Sequence, residues 1–302
     1  MLNTLGLGAA IVALALYGLW TPDLERAELE KRYVASKPQI IEVDGLQVHY
    51  KATGPEGAPA LLLLHGFGSS LQAWDDWSVK LEQKYRVIRL DLPGFGLTGA
   101  SPANDYSEEK DLATLTHFAD KLGLEKFSVM GHSMGGKTAM LFAANHPERI
   151  EKLIVADIGP KFYPQHHQSI LEGLNAVDFS LKPSRSEVEE ILSKYISDFG
   201  TRQFLLKSLY WVEPGQLAFR FNLAVFNKQI DQIGTALPEN ARFEKPSLFI
   251  RGGNSNYILD SDFEAIKQHF PKVAFETIPN VGHWLHAENP KLFYEISSSF
   301  LK

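Results

Sequence analysis

Ser133 stands between two glycines, in Gly131-His132-Ser133-Met134-Gly135, at the end of an apolar run that reads as a β-strand. In a G-x-S-x-G pattern placed between a strand and a helix, a sharp turn forces the central residue into strained backbone angles and holds its hydroxyl out over the sheet. Small residues at 131 and 135 are expected because a larger side chain would press on the neighbouring strand or the following helix. A serine hydroxyl is a weak nucleophile until a base takes its proton, and that base must arrive from another loop. Among ten histidines, His283 in "IPNVGHWLHAE" follows the last predicted strand and Gly282, at the sheet edge where the serine turn also ends. His283 is therefore the expected base, with His286 as the alternative. His65, His132, His166 and His167 are read as structural or surface residues. A developing oxyanion needs fixed donors: the N–H of Met134, directly after the serine, and the N–H of Phe67 in "HGFG". Gly66 and Gly68 let that loop pass close to the cleft, and His65 is read as bracing it.

The elements that must position these residues follow from the pattern of apolar runs. "IIEVDGLQVHY" reads as a hairpin turning at Asp44-Gly45, a dipeptide that supplies the positive φ of a tight turn. "ALLLLHG", "YRVIRLDLPG", "KFSVMGHS", "KLIVADIGP", "SLFIRGG" and "AFETIPNVG" read as buried strands, with helices between several of them. The clearest helix is capped by Ser107 and runs to Gly123. This alternation predicts an α/β fold with a mostly parallel sheet covered on both faces. From Lys161 to about Glu244 the alternation breaks, and helices without a convincing strand are expected. Val188, Ile191, Leu192, Tyr195, Ile196 and Phe199 fall on one helical face, opened by a capping box from Ser184 to Glu187 and closed by Gly200. The aromatic run Phe204, Tyr210, Trp211, Phe219, Phe221 and Phe226 either docks this insertion on the core or lines an apolar substrate cleft beneath it.

The segments "HGFGSS", "DLPGFGLT", "GHSMGGKTAM", "VADIGP", "RGGNS" and "GHWLHAE", in that order from Ile40 to Lys302, resemble the α/β-hydrolase superfamily. "GHSMGGKTAM", "ADIGP" and "RGGNSNY" are most similar to a subgroup of small serine esterases and acyl-thioesterases. That resemblance implies a helical cap over an acyl pocket, at about 161–244 of a hydrolase domain spanning 40–302, and chemistry that needs no cofactor. In much of the superfamily a G-x-x-D pattern before the last strand supplies the acid that orients the histidine. Here Asn254, Ser255 and Asn256 stand at that place. Two carboxylates are candidates: Asp157, directly after the apolar run "LIVA", and Asp260 on the loop itself. The resemblance favours Asp157, since some members of the subgroup carry the acid there, and so does its rigid mount at a strand end. Asp260 reads as the N-cap of a helix from Ser261 to Phe270.

Composition bounds the remaining possibilities. At 302 residues and 44% hydrophobic content the chain can bury a large core, and with no cysteine it has no disulfide, thiolate metal site or cysteine nucleophile. A net charge of −6 argues against a nucleic-acid partner. Met1–Pro22 has no charged side chain, and residues 1–22 are expected to be a single membrane anchor, with 23–39 as a charged spacer. Arg26, Lys31, Arg32 and Lys37 all follow that segment, which favours a cytoplasmic catalytic domain while leaving export open. The expected activity is hydrolysis of a small-molecule carboxylic ester or acyl thioester, with acyl chains of medium length. A perhydrolase or a carbon–carbon bond hydrolase shares the same triad, and a non-catalytic binding protein shares the same fold. Epoxide and carbon–halogen chemistry on this fold uses an aspartate nucleophile, which Ser133 replaces.

Overall fold

The computed structural model describes residues 39–163, 168–224, 227 and 234–302. Eight strands form one sheet: β1 (Gln39–Val43), β2 (Leu46–Thr53), β3 (Ala60–Leu64), β4 (Arg86–Leu90), β5 (Phe127–His132), β6 (Ile150–Ala156), β9 (Ser247–Gly252) and β10 (Val273–Ile278), in the spatial order β1-β2-β4-β3-β5-β6-β9-β10. β2 runs antiparallel to both β1 and β4; the other neighbours are parallel. The β1–β2 hairpin turns at Asp44 (φ 53°) and Gly45 (φ 81°), as the dipeptide predicts. From β3 the chain moves one way to β4 and then returns to the other side of β3 as β5. Loops leaving the carboxyl ends of β3 and β5 therefore diverge at a topological switch point, where open α/β sheets bind their ligands.

"ALLLL" is apolar at every position because both faces of β3 are covered. Leu62 and Leu64 enter a cluster with Phe118 and Phe142, while Leu61 and Leu63 enter another with Trp74, Trp77 and Phe293. One face is thus covered by α2 (Glu108–Lys121) and α3 (Met134–Asn145), the other by α1 (Asp75–Leu81) and α8 (Pro290–Leu301). α2 begins as expected, with the Ser107 hydroxyl accepting from the Lys110 N–H.

Between β6 and β9 lie α4 (Gln168–Asn175), α5 (Arg185–Ser193) and α6 (Phe199–Lys207). The capping box at Ser184 and Glu187 is present, and Val188 and Leu192 are buried. Two expectations for this insertion need correction. The helix does not run on to Gly200: it ends at Ser193, and Asp198 caps a new helix by accepting from the Thr201 N–H at 2.6 Å, which leaves Tyr195 and Phe199 exposed. The insertion also contains a strand pair, β7 (Leu209–Glu213) with β8 (Gln216–Phe219), joined by Pro214-Gly215 with Gly215 at φ 78°, a combination that suits a type II turn. Phe226, His166 and His167 lie outside the described residues. After β9, a short turn at Asp260–Asp262 precedes α7 (Phe263–His269), so Asp260 is not the residue that caps this helix.

The membrane-associated location expected from the N-terminus is also corrected. No helix among the described residues is long and apolar enough to cross a membrane, and residues 1–22 lie outside the described residues.

Candidate active site

Ser133 sits between β5 and α3 with φ 51° and ψ −120°, and the strain is held by main-chain bonds. Its N–H donates to the Ala156 carbonyl at 3.0 Å, and its own carbonyl accepts from Gly136 and Lys137 at 2.8 and 3.1 Å. The flanking glycines are required by close approach. A Cβ on Gly131 would lie 2.1 Å from the Gly135 carbonyl oxygen, and one on Gly135 would lie 2.5 Å from the His65 carbonyl oxygen at the end of β3. Strand and helix can meet this closely only without side chains at both positions.

The loop after β3 passes directly against this turn, since a Cβ on Gly66 would be 3.2 Å from the Ser133 Cβ. Its anchor is the buried His65. Nε2 accepts from the Leu92 N–H at 3.0 Å, which leaves the ring proton on Nδ1 to donate to the Gly66 carbonyl at 2.8 Å. Burial lowers the His65 pKa, in keeping with this neutral form. Phe67 is buried, its ring edge-on to Phe95, and Gly68 follows at φ 71°. Met134 opens α3, so its N–H is one of the donors that a helix cannot satisfy within itself.

His283 lies on the loop after β10, and its Nδ1 is 2.8 Å from Oδ2 of Asp157. Asp157 follows β6 in a left-handed conformation, φ 52°, and is fully buried. Its carboxylate also accepts from the Gly252 N–H at 3.0 Å and from the Ser255 hydroxyl. Asp260 points elsewhere, with 83% of its side chain exposed and Oδ1 2.6 Å from Arg251. The backbone of His283 is tied to the serine turn as well. Its carbonyl accepts from His132 Nε2 at 2.9 Å, and the two imidazole rings are 4.7 Å apart.

Several of these contacts lay beyond sequence reasoning. Ser255 stands where a carboxylate is usual, and its hydroxyl instead supports a carboxylate brought by another strand; the three polar residues at 254–256 were the only signal. The Tyr257 ring stacks on His283 at 3.9 Å, and Trp284 stacks on Phe204 of α6 at 3.5 Å. His286, the alternative base, is buried against Trp74 at a ring distance of 4.9 Å, and its Nδ1 has no hydrogen-bond partner.

The two buried rings predict an acid sensitivity. Burial, with the neighbouring histidines, holds His132 well below its ordinary pKa, and burial pushes His286 down to about 3. Unfolded, each ring takes a proton near pH 6.5, so below that pH the unfolded chain binds more protons and stability falls as pH drops toward 3. Between pH 6.5 and 5 the loss from His286 should be somewhat under about 2 kcal/mol, and His132 acts in the same direction. Glu108 and Asp111, raised by burial, act with the opposite sign, so the comparison with a variant isolates the effect. His286→Phe keeps the stacking on Trp74 and is expected to lose less Tm than wild type between pH 6.5 and 5; parallel slopes would show that His286 does not titrate on unfolding.

Comparison with known proteins agrees with this fold. Residues 59–182 match the family described as the alpha/beta hydrolase fold. The chain is 34% identical over 256 residues to the mouse sn-1-specific diacylglycerol lipase ABHD11, covering 82% of each chain. It is 31% identical over 231 residues to esterase YbfF of Escherichia coli strain K12, covering 76% of this chain and 88% of the other. A solved structure of a marine microorganism esterase superposes with a TM-score of 0.78 at 33% identity, covering 87% of this chain and all of that one. With a switch-point sheet, a serine turn between β5 and α3, and relatives of this similarity along most of its length, the chain belongs to the α/β-hydrolase family and is a hydrolase of the esterase and lipase type.

Proposed function

We propose that the protein cleaves carboxylic esters or acyl thioesters through an acyl-enzyme formed on Ser133. His283 takes the serine proton and returns it to the leaving group, while Asp157 holds the imidazole in the tautomer with Nδ1 protonated. The N–H groups of Met134 and Phe67 receive the oxyanion. The observation that carries this reading is the 2.8 Å contact between His283 Nδ1 and the buried Asp157, on a loop bonded to the residue preceding Ser133. A fluorophosphonate probe tests it: wild type should gain the probe's mass once, on Ser133, and a protein that resists labelling would be a binding protein of this fold.

The insertion, about 161–244, is read as the cover of the acyl site. α6 touches both loops that flank Ser133. A Cβ on Gly68 would lie 3.4 Å from Leu205 and 3.8 Å from Phe204, and the same Phe204 stacks on Trp284 beside His283. Such apolar walls suit an acyl chain, in keeping with the diacylglycerol lipase name of the mouse relative. Each methylene buried there contributes at most about 0.8 kcal/mol. Over a series of p-nitrophenyl esters, kcat/KM is expected to rise from acetate to hexanoate or octanoate; a steady fall along the series would mean that the insertion does not hold the chain.

A further inference from the structure

Lys137 lies on α3, one turn beyond Ser133, and is completely buried. Burial pushes its pKa down, and the nearby Glu108 carboxylate pulls it back up. A lysine in such a place needs acceptors for its ammonium protons. It has two main-chain acceptors, the carbonyls of Lys161 and Thr235, each at 2.6 Å. These belong to the outgoing and the returning stem of the insertion. The stems bond to one another, the Tyr163 N–H donating to the Gly234 carbonyl at 2.9 Å and the Leu237 N–H to the Pro160 carbonyl at 2.8 Å. Glu108, at the start of α2, holds the returning stem from its other side, accepting from the Gly234 N–H at 3.1 Å and the Thr235 hydroxyl at 2.8 Å.

The outgoing stem also reaches the histidine. Tyr163 lies beneath the Lys137 ammonium, 5.1 Å from nitrogen to ring centre, and its hydroxyl accepts from the Gly159 N–H and donates to the Tyr257 carbonyl, both at 2.7 Å. The Tyr257 ring is the one stacked on His283. A continuous set of contacts thus runs from the helix that begins at Ser133, through both stems, to the ring of His283.

We infer that Lys137 is a positioning residue whose ammonium fastens both stems of the insertion to the helix carrying the serine turn, and so sets where the cover lies over the acyl site. The fastening rests on the structure alone; its effect on acyl chains rests on the reading of the insertion as a cover. A methionine at 137 has similar length and no donor, so it would take from two part-buried carbonyls the ammonium they accept from. The stems should then open while the sheet remains intact.

The test is amide hydrogen exchange on the full chain with Lys137→Met, and with Glu108→Gln as a second variant should the first fail to fold. Exchange at Tyr163 and Leu237, whose N–H groups join the stems, is expected to quicken at least tenfold, with Val129 and Val155 of the central sheet unchanged. The ratio of kcat/KM for octanoate over acetate ester should fall about tenfold. Unchanged exchange at Tyr163 and Leu237 overturns the inference, as does exchange that quickens equally in stems and sheet, the mark of a merely structural core lysine. Faster stem exchange with an unaltered ester ratio supports the fastening and overturns the reading of the insertion as a cover.

Discussion

Ser133→Ala is expected to lower kcat for a simple ester by roughly 10⁴-fold or more, with the fold left in place. On the proposed mechanism, the loss follows from removing the hydroxyl that would carry the acyl group. Every contact that shapes the turn is main chain: the Ser133 N–H to Ala156, and its carbonyl to Gly136 and Lys137. Alanine retains all three, and Gly131 and Gly135 still allow β5 and α3 to meet. The left-handed φ of 51° is as strained for alanine as for serine, so the substitution changes chemistry much more than stability. A Tm within a few degrees of wild type, together with loss of fluorophosphonate labelling, is the expected pairing. Turnover within tenfold of wild type would falsify the assignment of Ser133 as nucleophile.

The serine turn was legible because its requirements are local. A strand end, two glycines and a helix start lie within a few residues, and the clashes at Gly131 and Gly135 are the physical content of the pattern. The parallel strands were legible for a related reason: a strand covered on both faces, such as "ALLLL", cannot alternate. The insertion was harder. Val188 to Phe199 keeps a helical period in sequence, yet Asp198 offers its own side chain to the Thr201 N–H and starts a second helix. The β7–β8 pair was hidden among aromatic residues, although Pro214-Gly215 is a turn signal in its own right. Least legible were contacts made by residues far apart in the chain. Nothing near Ser255 in sequence says that its hydroxyl meets Asp157, which is 98 positions earlier. Lys137 reads as one more residue of a helix until the two stem carbonyls are seen around it.

The acid proposed to orient His283 carries the second large expectation, since the sequence offered two carboxylates and their surroundings differ sharply. Asp157→Asn is expected to lower kcat by roughly 10²- to 10⁴-fold. Three donors face this carboxylate: His283 Nδ1–H, the Gly252 N–H and the Ser255 hydroxyl. An amide has one oxygen and one NH₂ group. If its oxygen stays with Gly252, its NH₂ meets the imidazole and favours the tautomer with the proton on Nε2, which cannot accept from the serine. If it turns over, the NH₂ opposes the Gly252 N–H instead. The Ser255 hydroxyl loses its acceptor in the first case and the buried Gly252 N–H in the second, so Asp157→Asn should also cost about 1–3 kcal/mol of stability. Asp260 is an exposed partner of Arg251, and pairs of that kind contribute about 0–1 kcal/mol. Asp260→Asn is therefore expected to leave kcat within about threefold of wild type. Because Asp157→Asn also loosens the fold, kcat must be measured at a temperature where circular dichroism shows both variants folded. A large kinetic loss at Asp260 with a small one at Asp157 would move the orienting role to Asp260. Small losses at both would mean that the Tyr257 ring and the His132 bond to the His283 carbonyl suffice to hold the imidazole.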